Sequence, residues 1–173
     1  MPTHPVIIRP VELRDAEPLR AIYNWAVART TATMGTEPRS PGEQIEWMEK
    51  HNGLPYPALV AEDADGGQVV GYASLSCYIP REGYRHTAEV SVYVHCDWHG
   101  LGIGSALLSS LLVEADRRGF VSLLALITDD NEPSLRLHRR YGFTDAGILH
   151  RVGYKFDTWL DVAILERVSE ATN

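Results

Sequence analysis

The stretch Thr87-Ala88-Glu89-Val90-Ser91-Val92-Tyr93-Val94, continued by His99-Gly100-Leu101-Gly102-Ile103-Gly104-Ser105 and then Ala106-Leu107-Leu108, decides how this chain is organised. Its first part places β-branched residues at Val90, Val92 and Val94, which reads as a strand with one face kept for a core. Its last part is an apolar helical run to about Arg118, with Gly119 as its stop. Between them lies a glycine-rich turn. A helix start carries backbone N–H groups with no internal partner and the positive end of the helix dipole, so such a turn is an anion site. Glycine lets the backbone approach a pyrophosphate with no Cβ in the way. The candidate contacts are His99, Gly100, Leu101, Gly102, Ile103, Gly104 and Ser105. No Gly-Lys-Ser/Thr follows, which disfavours a P-loop nucleotidase. A dinucleotide fingerprint would follow the first strand, whereas this turn follows the fourth.

Working outward, Val6 to Pro10 reads as a first strand. Asp15 is a plausible cap for a helix with apolar residues at Leu19, Ile22, Tyr23, Ala26 and Val27. Ser40-Pro41-Gly42-Glu43 is a capping box with proline at the first helical position. Ala58 to Ala61 and Val69 to Leu75 form a hairpin around Asp65-Gly66-Gly67. Cys77 to Arg85 reads as a loop and Val121 to Ile127 as a buried strand. Glu132 to Tyr141 is a short helix ended by Gly142. Two further strands, split near Gly153, complete an α/β (α+β) chain with a mixed sheet, read as a single domain over residues 1–173.

Composition narrows the function. The 173 residues carry a formal net charge of −7, which argues against nucleic acid, whose phosphates need clustered Lys and Arg. Arg136, Arg139, Arg140 and Arg151 fit either a local phosphate pocket or a solvated face. No apolar run is long enough to span a bilayer, and no secretory signal opens the chain; the expected compartment is the cytoplasm. Cys77 and Cys96 read as free thiols. His95-Cys96-Asp97-Trp98-His99 holds ligand types, but no second pair sits at zinc spacing, so no metal is expected.

A second element, Asn131-Glu132-Pro133-Ser134-Leu135-Arg136-Leu137-His138-Arg139-Arg140-Tyr141-Gly142-Phe143, puts Ser134 and His138 on one helical face. With the glycine turn upstream of it, the sequence resembles the GNAT superfamily of N-acetyltransferases. That family has Arg/Gln-x-x-Gly-x-Gly/Ala before a helix and then Asn-x-x-Ala/Ser-x-x-x-Tyr-x-x-x-Gly-Phe. His99 stands in place of the usual Arg or Gln, and His138 in place of the tyrosine. The histidine version is similar to the phosphinothricin and methionine sulfoximine/sulfone acetyltransferase branch. So are Tyr84 to Val94, Gly153 to Asp161, and Ile22 to Val27 with Thr30 to Thr33. The resemblance implies a mostly antiparallel sheet, flanked by helices, whose fourth and fifth strands splay apart. Acetyl-CoA would lie in that opening, its pantetheine along Val92, Tyr93 and Val94 and its pyrophosphate on Gly100 to Ser105. Asn131 and Ser134 would flank it. Homodimers are common in the branch.

Acetyl transfer needs a neutral amine, a stabilised oxyanion and a protonated leaving thiolate. The expected catalytic pair is Glu89 and His138; either could take the amine's proton, and His138 as imidazolium could instead protonate sulfur. A backbone N–H near Val92 or Tyr93 would meet the oxyanion. Glu89 and Ser91, with Ile79 and Arg81 in the preceding loop, are the candidate acceptor contacts. Methionine-analogue enzymes carry an aromatic and then an arginine where this chain has Tyr78-Ile79. Arg81, Arg85 or Lys155 could supply the missing cation. The expected acceptor is the primary amine of a small amino-acid-like molecule. The alternatives are a protein N-terminus or lysine, or an acyl-CoA sensor without catalysis.

Overall fold

Asp63 holds the hairpin turn together: its carboxylate accepts from the backbone N–H groups of Asp65 and Gly66, at 3.3 and 2.9 Å. The computed structural model describes residues 4–51 and 55–169. In chain order these form β1 (Val6–Pro10), α1 (Ala16–Arg29), α2 (Pro41–His51), β2 (Ala58–Asp63), β3 (Val69–Cys77), β4 (Thr87–Val94), α3 (Ile103–Arg117), β5 (Ser122–Thr128), α4 (Glu132–Arg140), β6 (Thr144–Lys155) and β7 (Thr158–Val168). All seven strands join one sheet in the order β1-β2-β3-β4-β5-β7-β6.

Every neighbouring pair is antiparallel except β4 and β5. That parallel pair is short, joining only Thr87, Ala88 and Glu89 to Ser122, Leu123 and Leu124. Beyond Glu89 the two strands part. β4 stays with β3 to Val94, and β5 stays with β7 to Thr128. The expected mixed sheet with splayed central strands is therefore present, and its opening begins at Glu89.

Each face of the sheet has its own apolar cluster. Leu107, Leu108, Leu111 and Ala115 of α3 pack on Ala73, Leu75, Ala88, Val90, Leu123 and Ala125. On the other face Leu19 and Ile22 of α1 and Met48 of α2 cover Val60 and Tyr72. Burying one such leucine or isoleucine contributes about 1.5–3 kcal/mol. Strand alternation follows from this: Ala88 and Val90 point to α3, while Tyr93 joins the α1–α2 side.

Three local expectations are corrected. Asp15 does not cap α1 with its side chain. It accepts from Glu12 N–H at 2.7 Å and from both Arg9 terminal nitrogens at 2.8 Å, because the arginine fork fits a carboxylate better than a single amide does. The last two strands are not split at Gly153, which lies within β6. They turn at Phe156 and Asp157, both in the left-handed region with φ of 51° and 56°, as a two-residue hairpin demands. Gly153 serves packing instead: a Cβ there would lie 2.5 Å from Met34 Sδ. The β3 strand also runs two residues past the expected Leu75, which brings Ser76 into the ladder.

Candidate active site

The glycine turn adopts the conformation its sequence requires. Gly100 and Gly102 have φ of +78° and +82°, values that any Cβ disfavours. Gly102 is the N-cap of α3 and offers no side chain to its first amides, so these N–H groups face the turn uncapped. His99 closes the loop: its Nε2–H donates to the Val94 carbonyl at 3.0 Å, leaving only Nδ1 for a ligand. Leu101 packs against the α3 core. At Gly104 a Cβ would lie 3.3 Å from Leu137 Cδ2 of α4. That glycine thus lets α3 and α4 approach across the mouth of the opening.

Asn131 caps α4, its Oδ1 accepting from Ser134 N–H at 3.3 Å. One turn on, His138 is 3% exposed and stands edge-on to Phe143, with ring centroids 5.1 Å apart. Its Nδ1 lies 2.9 Å from the Ser134 carbonyl and 3.4 Å from Ser134 Oγ. A carbonyl only accepts, so Nδ1 carries the proton and Nε2 is a lone pair. Nε2 is buried and has no partner among the described residues. Burial holds the ring's pKa below the usual histidine value, outweighing the bond to Ser134.

Glu89 sits at the vertex where β4 leaves β5. Its carboxylate accepts no hydrogen bond from the described residues, and burial alone pushes its pKa above the usual carboxylate range. With Ser91 and Tyr93 it shares the face covered by α1 and α2. Tyr93 stacks on Tyr72, its partner across the ladder, at 5.2 Å and meets Tyr23 edge-on at 5.7 Å. The opposite face of β4 carries Val92 and Val94 against the α3 core. Past Glu89 the backbone edge of β4 is not paired to β5, and an extended amide chain fits such an edge.

The candidate acceptor cations part company here. Lys155 is 5% exposed and donates to the carbonyls of Thr30 and Thr33 at 2.7 and 2.8 Å. It pins the α1–α2 loop to β6, so it is no free cation for a ligand. Arg85 pairs with Glu82 at 3.5 Å on the surface. Ile79 and Arg81 lie in the loop before β4, where Arg81 N–H donates to the Ile79 carbonyl and the Arg81 side chain is exposed. Sequence reasoning did not single out Ser76 and His51, which join Glu89 on its face. His95, Cys96 and Asp97 bring ligand atoms within 4.8 Å, but His95 Nδ1 accepts from Asp97 N–H, a local cap.

A strand edge freed by splaying, an uncapped helix start behind two left-handed glycines, and a lone carboxyl at the vertex thus lie along one opening in the sheet. The Acetyltransferase (GNAT) family profile matches residues 19–143, and the chain belongs to that family. It is 40% identical over 159 residues to the L-methionine sulfoximine/L-methionine sulfone acetyltransferase of Pseudomonas aeruginosa, covering 92% of both chains. A crystal structure of a phosphinothricin acetyltransferase from Sinorhizobium meliloti in complex with acetyl-CoA superposes with a TM-score of 0.92. It is 33% identical and covers 97% of this chain and 92% of that one. A ribosomal-protein-alanine N-acetyltransferase from Brucella melitensis has a TM-score of 0.90 and 41% identity, covering 94% of this chain and 99% of that one.

Proposed function

We propose that this chain transfers the acetyl group of acetyl-CoA directly to the primary amine of a small amino-acid-like acceptor, of the methionine sulfone, methionine sulfoximine or phosphinothricin type. The observation that carries the reading is Glu89: a partly buried carboxyl with no hydrogen-bond partner among the described residues and a raised pKa, at the point where β4 and β5 separate. Raising a carboxylate's pKa makes it a stronger base toward an ammonium proton.

The residues present fit acetyl-CoA as co-substrate. The N–H groups of Gly100 to Ser105 would hold its pyrophosphate, and the free edge at Val92 to Val94 its pantetheine amides. Asn131 and Ser134 flank the thiol end. Acetyl-CoA supplies an activated thioester; the rest falls to side chains. Glu89 takes the proton that converts ammonium to amine, directly or through water. A backbone N–H near Val92 or Tyr93 meets the developing oxyanion. His138, neutral with its lone pair at Nε2, accepts the second proton lost by nitrogen. It then returns that proton to the leaving sulfur, whose thiol pKa is about 8.5. The acceptor tautomer supports this order over a standing imidazolium.

The unit is read as a homodimer in the cytoplasm. Supporting the dimer, the β6–β7 hairpin exposes Ile148, Val152, Tyr154 and Trp159, each more than half accessible, a band that a second copy would cover. Two free cysteines fit a reducing compartment. Among the described residues no helix is long and apolar enough to cross a membrane.

The test is thiol release from acetyl-CoA with phosphinothricin, methionine sulfoximine, methionine sulfone, the common amino acids and polyamines. Turnover with the oxo-acids is expected; acetyl-CoA binding without turnover on any of them refutes the reading. The Brucella relative, by its name a ribosomal-protein-alanine N-acetyltransferase, favours a second reading, acetylation of a protein N-terminus. Faster turnover of an alanine-initiated peptide than of any free amino acid would establish it.

A further inference from the structure

His51, in the last turn of α2, is 7% exposed. Its Nδ1 lies 2.6 Å from the Trp47 carbonyl and its Nε2 3.1 Å from Ser76 Oγ. The carbonyl can only accept, so Nδ1 bears the proton. Burial first, opposed by the Trp47 and Leu75 carbonyls and reinforced by the cations Arg39 and Lys50, holds the ring's pKa below the usual value, which favours the neutral ring. Nε2 is then a lone pair, and the Ser76 hydroxyl must donate to it. Its single proton committed, Ser76 Oγ presents only lone pairs to any other group.

Ser76 stands directly opposite Glu89 in the β3–β4 ladder, as Ser74 stands opposite Ser91. Opposite residues share a face, with Cβ atoms about 4.5–5.5 Å apart. Two acceptors, the Glu89 carboxylate and Ser76 Oγ, thus lie side by side at the vertex of the opening. Such a pair suits a cation with several N–H donors and gives nothing to a carboxylate or a carbonyl.

We propose that Ser76 binds the acceptor's ammonium group beside Glu89, and that His51 is a positioning residue that keeps Ser76 an acceptor. This rests on the reading of Glu89 as the base for an amine. It also sets the charge state of the acceptor: a protonated amine, with one N–H for each of the two oxygens.

The test uses the full chain with methionine sulfone as acceptor and its deaminated analogue, 4-(methylsulfonyl)butanoate, as competitive inhibitor. Ser76→Ala is expected to raise the acceptor KM about ten- to hundredfold, the range of one hydrogen bond to a charged group. The acetyl-CoA KM and the analogue's Ki should stay within twofold, since neither molecule has an ammonium. Ser76→Thr, which keeps the hydroxyl, should recover most of the lost affinity. His51→Leu should raise the acceptor KM by at least threefold with the analogue's Ki unmoved. An active wild type whose acceptor KM is unchanged in Ser76→Ala overturns the proposal. So does a KM that rises together with the analogue's Ki, which marks a structural role. A wild type that binds acetyl-CoA yet acetylates no amine overturns both this proposal and the function it rests on.

Discussion

Replacing Glu89 with glutamine separates chemistry from folding. The amide keeps the carboxyl's shape, and no described donor is left without its acceptor, since none bonds to Glu89. A general base contributes typically 10²–10⁴-fold, so kcat for the best small amine should fall by about that factor. The acetyl-CoA KM should barely move. Stability should move the other way. Burial raises the pKa of Glu89 in the folded chain, so the folded state disfavours the charged form. A raised carboxyl contributes its full stability below the unfolded pKa of about 4.3, and loses it as pH climbs through the folded value. At pH 7 the wild type therefore carries a penalty that Glu89→Gln lacks, and the variant should unfold at equal or higher urea concentration. At pH 4 the difference should vanish. The wild-type kcat/KM should rise with pH through a value above the ordinary carboxylate range, and that limb should be missing in the variant. Thiol release across pH 5–9 and urea unfolding at pH 4 and 7 suffice. A variant that turns over within threefold of wild type would refute Glu89 as the base. A variant less stable at pH 7 would refute the burial argument.

His138→Ala should lower kcat by about 10²-fold or more while acetyl-CoA binding, read by calorimetry, stays near wild type; a loss of binding instead would make the histidine structural. Gly102→Val must hold a branched side chain at φ +82°, and acetyl-CoA affinity should drop at least tenfold; normal affinity would remove the turn from the phosphate site. Lys155→Met leaves the Thr30 and Thr33 carbonyls without their charged donor. It should cost about 1.5–3 kcal/mol in urea unfolding, and an unchanged midpoint would show that the loop is held by other contacts. Trp159→Asp puts a charge in the exposed apolar band of the β6–β7 hairpin and should halve the mass seen by sedimentation; an unaltered mass would place any dimer contact elsewhere.

How far the sequence reaches depends on how local each signal is. The strand of Thr87 to Val94, the helix after Gly102 and the stop at Gly119 follow from β-branched alternation, a glycine turn and a C-terminal glycine, all within about ten residues. The capping box at Ser40 and Glu43 forms as spelled, with bonds of 2.7 and 3.3 Å. Asp15 and Gly153 fail as local signals because their partners are distant. Arg9 outcompetes a helix amide for the Asp15 carboxylate, and Met34 of the α1–α2 loop accounts for the glycine in β6.

The site divides along the same line. Residue types at fixed spacing marked the glycine loop, and the resemblance to the acetyltransferase branch marked Glu89 and His138, because a glycine turn and a helix face are short-range objects. Register, burial and proton placement are long-range ones, and only the folded chain decides them. The ladder puts Ser76 across from Glu89, and His51 reaches Ser76 from 25 residues away in sequence. The Ser134 carbonyl makes the Nε2 of His138 an acceptor. Lys155, a plausible ligand cation in the sequence, spends its charge on two loop carbonyls. Sequence alone states which groups are present; strand pairing and loss of water decide which of them face a substrate, and in which protonation state.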